Sequence, residues 1–195
     1  MQRHAADETI NENARGAAIA LGNFDGVHLG HQAVIESACA AAKKIGAPLG
    51  VAIFEPHPRQ VFQPHTAPFR LQTSDQRARA LAELGVDHLF AIGFDRALSQ
   101  LSDEEFARDV LAGQLGVAHV SIGQDFRFGR GRMGDAGSLR RLGADLGFGV
   151  DAVAPIGDGV KTSSSTIREA IGTGAIDKAT ALLGRPWAIE GVVQR

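Results

Sequence analysis

The chain has 195 residues, 44% hydrophobic and 22% charged, with 20 basic and 22 acidic side chains for a formal net charge of −2. This is the balance of a globular protein long enough to bury one large domain's core, and it offers no broad positive field to nucleic acid or to an anionic membrane surface. No apolar run approaches the roughly 18–20 residues of a membrane span, Met1–Arg15 lacks the order of a signal peptide, and a lone Cys39 cannot form an internal disulfide, so a cytoplasmic location is expected.

Met1–Arg15 is polar, shows no clear period, and reads as a flexible N-terminal arm. Gly16–Leu21 is a small apolar run suited to a buried strand, and Gln32–Ile45 reads as an Ala-rich helix. Between them lies Gly22-Asn23-Phe24-Asp25-Gly26-Val27-His28-Leu29-Gly30-His31, a strand-to-helix junction. In a parallel α/β sheet, ligands collect beyond the carboxyl ends of the strands, and a helix start offers N–H groups and a positive dipole end to phosphate. His28 and His31, three apart, fall on nearly the same helix face and could reach one phosphate chain. Gly30 between them lets a ligand approach the backbone. The plainer reading is two histidines with structural roles at a helix start.

Pro48–Phe54 is a second buried strand and completes a parallel crossover unit. The loop from Glu55 to Phe69 holds four of the seven prolines, with Phe54, Phe62 and Phe69 close by. Prolines stiffen a loop in advance, so its rings can wall a flat ligand at low entropic cost; the alternative is a rigid surface loop with its rings in the core. His57 and His65 read as polar loop residues. Thr73-Ser74-Asp75-Gln76 caps a helix to Leu84, Val86–Phe94 is a third strand, and Ser102-Asp103-Glu104-Glu105 opens a helix to Leu115. Val117–Gly123 is a fourth strand. Gly123–Asp135 then carries three arginines, Arg127, Arg130 and Arg132, on a glycine-rich loop that suits a lid over polyphosphate.

Gly129-Arg-Gly131-Arg-Met-Gly134 satisfies Gly-x-Gly-x-x-Gly with Asp151 downstream, but a dinucleotide-binding turn follows its strand at once, and here residues intervene. No Walker loop is present. Ala136–Leu146 is a helix and Gly149–Pro155 a fifth strand or strand end. After the turn Gly157-Asp158-Gly159, the hydroxyl run Thr162–Thr166 precedes Arg168 at a helix start. One serine would suffice for capping; the run plus an arginine reads as a second anion site. Ala175–Leu183 is a last helix, and Ala188–Val193 resembles a strand without a sheet. The expected architecture is α/β, a parallel sheet of about five strands with helices on both faces.

His-x-Gly-His resembles the signature of the nucleotidyltransferase superfamily. With Phe-Glu-Pro-His-Pro-Arg, Gly-x-Asp-Phe-Arg-Phe-Gly and Ser-Ser-Ser-x-Ile-Arg following in order, the chain from about Gly16 to Arg195 resembles the FMN adenylyltransferase module of prokaryotic FAD synthetases. The resemblance implies a Rossmann-like nucleotidyltransferase fold that transfers AMP from ATP to FMN, giving FAD and pyrophosphate without a covalent intermediate. It implies catalytic roles for His28, His31, Ser164 and Arg168, and an ATP site of Gly22, Asn23, Phe24, Asp25, Gly30, Ser163, Ser165 and Ile167. The flavin would fall to Phe54, Pro56, Pro58, Phe62, Asp125, Phe126 and Phe128, with Arg127, Arg130 and Arg132 on the lid. Mg²⁺ would arrive on ATP, without dedicated protein ligands.

In that family the module precedes a riboflavin kinase domain, and Gly184-Arg-Pro-Trp resembles the approach to it. Residues 16–184 are therefore expected to form the adenylyltransferase domain, residues 185–195 a linker, and the kinase domain is absent from this chain, so no kinase activity is expected. Nucleic-acid and membrane partners are not expected; self-association into a homo-oligomer stays open. Ser165 stands where the family commonly has threonine and Gln60 where it often has glutamate, and the position of Phe106 relative to a flavin is undetermined. The alternatives are transfer to another phosphate acceptor, such as nicotinamide mononucleotide or pantetheine phosphate, and a non-catalytic nucleotide- or NAD-binding module.

Overall fold

The computed structural model describes residues 1–156 and 162–193. Six parallel strands form one sheet in the order β1-β4-β3-β2-β5-β6: β1 Gln2–His4, β2 Ala18–Leu21, β3 Leu49–Glu55, β4 His88–Gly93, β5 His119–Gly123 and β6 Gly149–Val153. The helices are α1 Leu29–Ile45, α2 Pro58–Phe62, α3 Ser74–Glu83, α4 Asp103–Glu105, α5 Ala136–Leu146, α6 Ser164–Gly172 and α7 Ile176–Leu183. Helix α4 runs directly into a π-helical stretch, Phe106–Leu115. The chain order reverses at β2, which pairs with β3 on one side and β5 on the other, so the crevice beyond its carboxyl end is where a doubly wound sheet binds ligands.

The sheet has a sixth strand, and it comes from the segment expected to be a loose arm. Gln2–His4 pairs in parallel with His88–Phe90 at the sheet edge, and Ile10 and Ala14 are buried. Three residues are too few to show a strand period. At the other end, Ala188–Val193 forms no strand.

The period of two along the strands builds the core on both faces. Ile19 and Leu21 of β2 pack with Phe90, Ile92, Val120 and Ile122 on one face. Ala18 and Ala20 meet Val34, Ile35, Ala38 and Ala42 of α1 on the other, where small strand residues let that helix sit close. A third, smaller cluster joins Leu71 to Ile167 and Ala170 of α6 and to Ala179 and Leu183 of α7. It anchors α6 beside the β2–α1 junction.

Candidate active site

The junction after β2 is tightly turned. Phe24 and Val27 adopt φ of 50° and 41°, in the left-handed region that costs a β-branched residue such as Val27 most. Gly26 has φ of 93°, and a Cβ there would lie 2.8 Å from Leu71. Asp25 is buried, and its carboxylate accepts the Leu71 N–H at 2.9 and 3.1 Å and the Arg168 Nη2 at 2.6 Å. Arg168 Nε donates to Phe69 O at 2.7 Å, and Ser164 Oγ donates to Asp25 O at 2.8 Å. The junction, the proline-rich loop and the start of α6 are thus one hydrogen-bonded unit. From the far side, Arg185 donates to Gly26 O at 2.6 Å and to Val27 O at 3.1 Å, and Trp187 Nε1 donates to Leu71 O at 2.9 Å. Residues expected in a linker therefore brace the junction.

His28 is the N-cap of α1: its Nδ1 accepts the His31 N–H at 3.2 Å. Its ring stacks on that of His31, centroids 3.6 Å apart at 15°. A Cβ on Gly30 would sit 3.3 Å from the His28 ring and 3.4 Å from Thr162 O, a tight fit that favours glycine there. Burial, and then the charges of Arg168 and Arg185, pull the His28 pKa down to about 4. Burial and the neighbouring His28 hold His31 well below the ordinary imidazole range. Both rings are neutral at pH 7, and with Nδ1 of His28 accepting, its proton lies on Nε2. Among the described residues, His31 Nδ1 and Asn23 Oδ1 are buried without a hydrogen-bond partner.

These groups line a cavity of about 550 Å³. Gly22, Asn23, Phe24, Asp25, His28, Gly30 and His31 come from the junction, Thr162, Ser163, Ser164, Ser165 and Arg168 from the start of α6, and Val153–Ile156 from the end of β6. Two helix starts, α1 and α6, open on the same space. Ser163 Oγ caps α6 by accepting the Thr166 N–H at 3.2 Å. Since Ser164 gives its hydroxyl proton to Asp25 O, what the start of α6 turns toward a ligand is chiefly backbone N–H.

A second cavity of about 690 Å³ adjoins the first. It is walled by Phe54, Phe62, Phe94, Phe106, Phe126 and Phe128, with Pro58, Leu98 and the loop arginines Arg127 and Arg132. Phe62 and Phe94 meet edge to face at 5.7 Å, and Phe126 and Phe128 stack at 6.0 Å. Phe62 is 60% exposed at the rim, whereas Phe106 and Phe128 are buried at the back. Asn23, His57, Arg59, Phe126 and Arg132 line both cavities.

The glycine-rich loop folds as a tight hairpin, Phe128 pairing with Gly134. A Cβ on Gly129 would lie 2.7 Å from Asp103 N, and one on Gly134 would lie 2.8 Å from Asp103 Cβ and the Phe128 ring. These glycines serve close packing against the start of α4, not a strand-to-helix turn, which removes the basis of the dinucleotide-fingerprint reading.

Three expected site residues lie elsewhere. Ile167 is fully buried in the third core cluster, its side chain turned into the core one turn after Ser164. Pro56 is exposed and lines neither cavity, and Arg130 is exposed outside both, its N–H bonded to Leu101 O at 2.7 Å. Asp125 lines the polar cavity rather than the aromatic one, and Arg127 pairs with Asp135 at 3.1 Å. Conversely, His57 and Arg59 line both cavities and were not expected to, while Phe94 and Leu98, from the segment expected on the ligand side of the sheet after the third strand, line the aromatic one. His57 caps α2 by accepting the Arg59 N–H at 3.0 Å. Gln60 completes that cap and accepts from Arg70 Nη2 at 2.7 Å, beside the Arg70–Glu55–Arg77 ion pairs.

The protein-family model described as FAD synthetase matches residues 10–167. Similar curated proteins include the bifunctional riboflavin kinase/FMN adenylyltransferase of Pseudomonas fluorescens, 43% identical over 92% of this chain and 58% of its own length. The protein of the same name from Escherichia coli K12 is 38% identical over 91% of this chain and 57% of its own length. The chain thus spans somewhat over half the length of these relatives. A crystal structure described as a macrolide-efflux protein from Streptococcus pneumoniae superposes with a TM-score of 0.79 at 28% identity, covering 88% of this chain and 66% of that one. Among the described residues, no helix is long and apolar enough to cross a membrane.

Proposed function

The chain belongs to the FAD synthetase family, and we propose that it transfers the AMP of ATP to FMN, forming FAD and releasing pyrophosphate. The observation that carries this reading is the pairing of two adjoining cavities, one walled by two helix starts and the His28–His31 pair, the other by six phenylalanines. The first suits a nucleoside triphosphate, the second a flat aromatic acceptor.

An oxygen of the FMN phosphate attacks the α-phosphorus of ATP, and the bond from that phosphorus to the bridging oxygen of the β-phosphate breaks. The nucleophile is already ionised, so the protein has to position it and stabilise charge rather than remove a proton. His28 Nε2–H supplies a donor at the start of α1, with the His31 ring stacked on it, and the helix dipole favours the same charge. The backbone N–H groups of Ser164 and Ser165 and the charge of Arg168 face the outer phosphates. Phe62 and Pro58 bear on one side of the flavin, Phe126 and Phe128 on another, and Arg132 lies at the seam between the cavities.

The donor set fits Mg²⁺ that arrives with ATP. Asp25 is committed to Leu71 and Arg168, and among the described residues no group of three or more carboxylate, imidazole or thiol side chains is placed to hold an ion. When bound, the ion neutralises phosphate charge; Asn23 Oδ1, a buried acceptor, suits a water of its shell. A reaction fed by ATP fits the cytoplasm, and a kinase domain following this module in a longer chain would supply its FMN. Incubation with Mg²⁺, ATP and FMN tests the proposal: FAD and pyrophosphate should form in equal amounts, riboflavin in place of FMN should give neither, and no product from folded protein would refute it.

A further inference from the structure

Transfer brings two anions together at the seam of the cavities, the FMN phosphate and the α-phosphate of ATP, and their repulsion must be offset there. Five residues line both cavities, and of these only Arg59 and Arg132 carry full positive charge at neutral pH, His57 being lowered first by burial and then by Arg70. Arg132 stands on the glycine-rich hairpin and is exposed. Arg59 stands on α2, three residues before Phe62, and is exposed as well; among the described residues no carboxylate pairs with it. Its guanidinium instead lies over the Phe69 ring, 4.8 Å from the centroid. The same ring takes the edge of His57 at 5.0 Å and lies 5.3 Å from the Arg168 guanidinium, whose Nε is bonded to Phe69 O.

Resting on the adenylyltransferase reading, we propose that Arg59 binds the phosphate of the acceptor at the seam, and that Phe69 is the positioning residue that holds its guanidinium there. An arginine without a carboxylate partner keeps its donors for a phosphate, and a ring face orients it without neutralising it. Phe69 also joins the two substrates' arginines: Arg168, tied to Asp25, faces the nucleotide cavity, and Arg59 reaches both. Arg59 therefore sets the preference for a phosphorylated flavin over riboflavin.

The test is the ratio of riboflavin to FMN dissociation constants, read from flavin fluorescence without ATP, alongside FAD synthesis by the same samples. The wild type should bind FMN more tightly than riboflavin. Arg59→Ala should lower that ratio about ten- to a hundredfold while leaving riboflavin affinity unchanged, which also shows that the aromatic cavity is intact. Phe69→Leu should lower the ratio about two- to fivefold, and Phe69→Tyr, which keeps the ring face, should restore it. A merely structural role for Phe69 would weaken both flavins alike and overturn its part of the proposal. Wild-type FAD synthesis with an unchanged ratio in Arg59→Ala would overturn the proposal alone; wild-type protein that makes no FAD would overturn the adenylyltransferase reading and this proposal with it.

Discussion

His31 gives its backbone N–H to His28 Nδ1, and the two imidazole rings stack 3.6 Å apart. One histidine thus caps the helix that carries the other, and the bond fixes the proton of His28 on the nitrogen that can face a phosphate. His28→Ala should lose both functions: about 1 kcal/mol of stability from the cap and about 10²–10³-fold in kcat from the donor. His28→Asn, which can cap but has no ring, should recover the thermal midpoint and not the turnover. Thermal melts and steady-state rates on the two variants separate the contributions.

The same pair makes stability depend on pH. The folded-state pKa of His28, about 4, lies below the ordinary 6.5, so the unfolded chain binds the proton more readily. Stability is full above pH 6.5 and falls as the pH drops toward 4, with a contribution of order 3 kcal/mol from His28. His31, His57 and His88 shift in the same direction. The urea midpoint should therefore decline between pH 6.5 and 4, and His28→Asn should make that decline shallower. Bound ATP, whose phosphates favour the protonated rings, should shift the decline to lower stability loss and be accompanied by proton uptake, measurable by calorimetry in buffers of different ionisation heat.

The wall of the aromatic cavity mixes exposed and buried rings, and the two kinds should respond differently to substitution. Phe62→Ala removes a ring 60% exposed at the rim, so the melting temperature should hold while the KM for FMN rises roughly three- to tenfold. Phe106 is 3% exposed, and Phe106→Ala should cost about 3–5 kcal/mol of stability. Denaturant unfolding and FMN saturation curves check both.

How much of this was legible in the sequence depends on whether a residue's role is local. The His28–Gly30–His31 cap, the β2–α1 crossover and the Asp103 helix start announce themselves in consecutive residues, and they stand where the spacing puts them. Ile167 was misplaced because the motif that contains it is read as a string, whereas helical period turns its side chain into the core below Ser164. Phe106 could not be placed because it begins a π-helical stretch, whose widened turn no 3.6-residue period anticipates. The edge strand Gln2–His4 takes its structure from β4, 86 positions away, and not from its own pattern. His57 had a readable signal, a histidine two residues before an arginine and three before Gln60 at a Pro-bounded helix start, but histidine is an uncommon cap.

Arg185 braces the strained junction through Gly26 O and Val27 O. Arg185→Ala should free Val27 from its φ of 41° and let His28 drift, lowering kcat more than it raises the KM for ATP. Arg185→Lys, which cannot span both carbonyls, should recover only part of the rate. Equal changes in both constants would mean that the brace serves binding rather than the placement of His28.

The most direct measurement uses ATP labelled at the α-phosphorus in a single turnover with excess protein, Mg²⁺ and FMN. The account predicts that the label appears in FAD and none in pyrophosphate, with no labelled protein at any time, and that His28→Ala slows this transfer by at least about a hundredfold. Label that stays in ATP with folded wild-type protein, or that passes through a protein adduct, would contradict it.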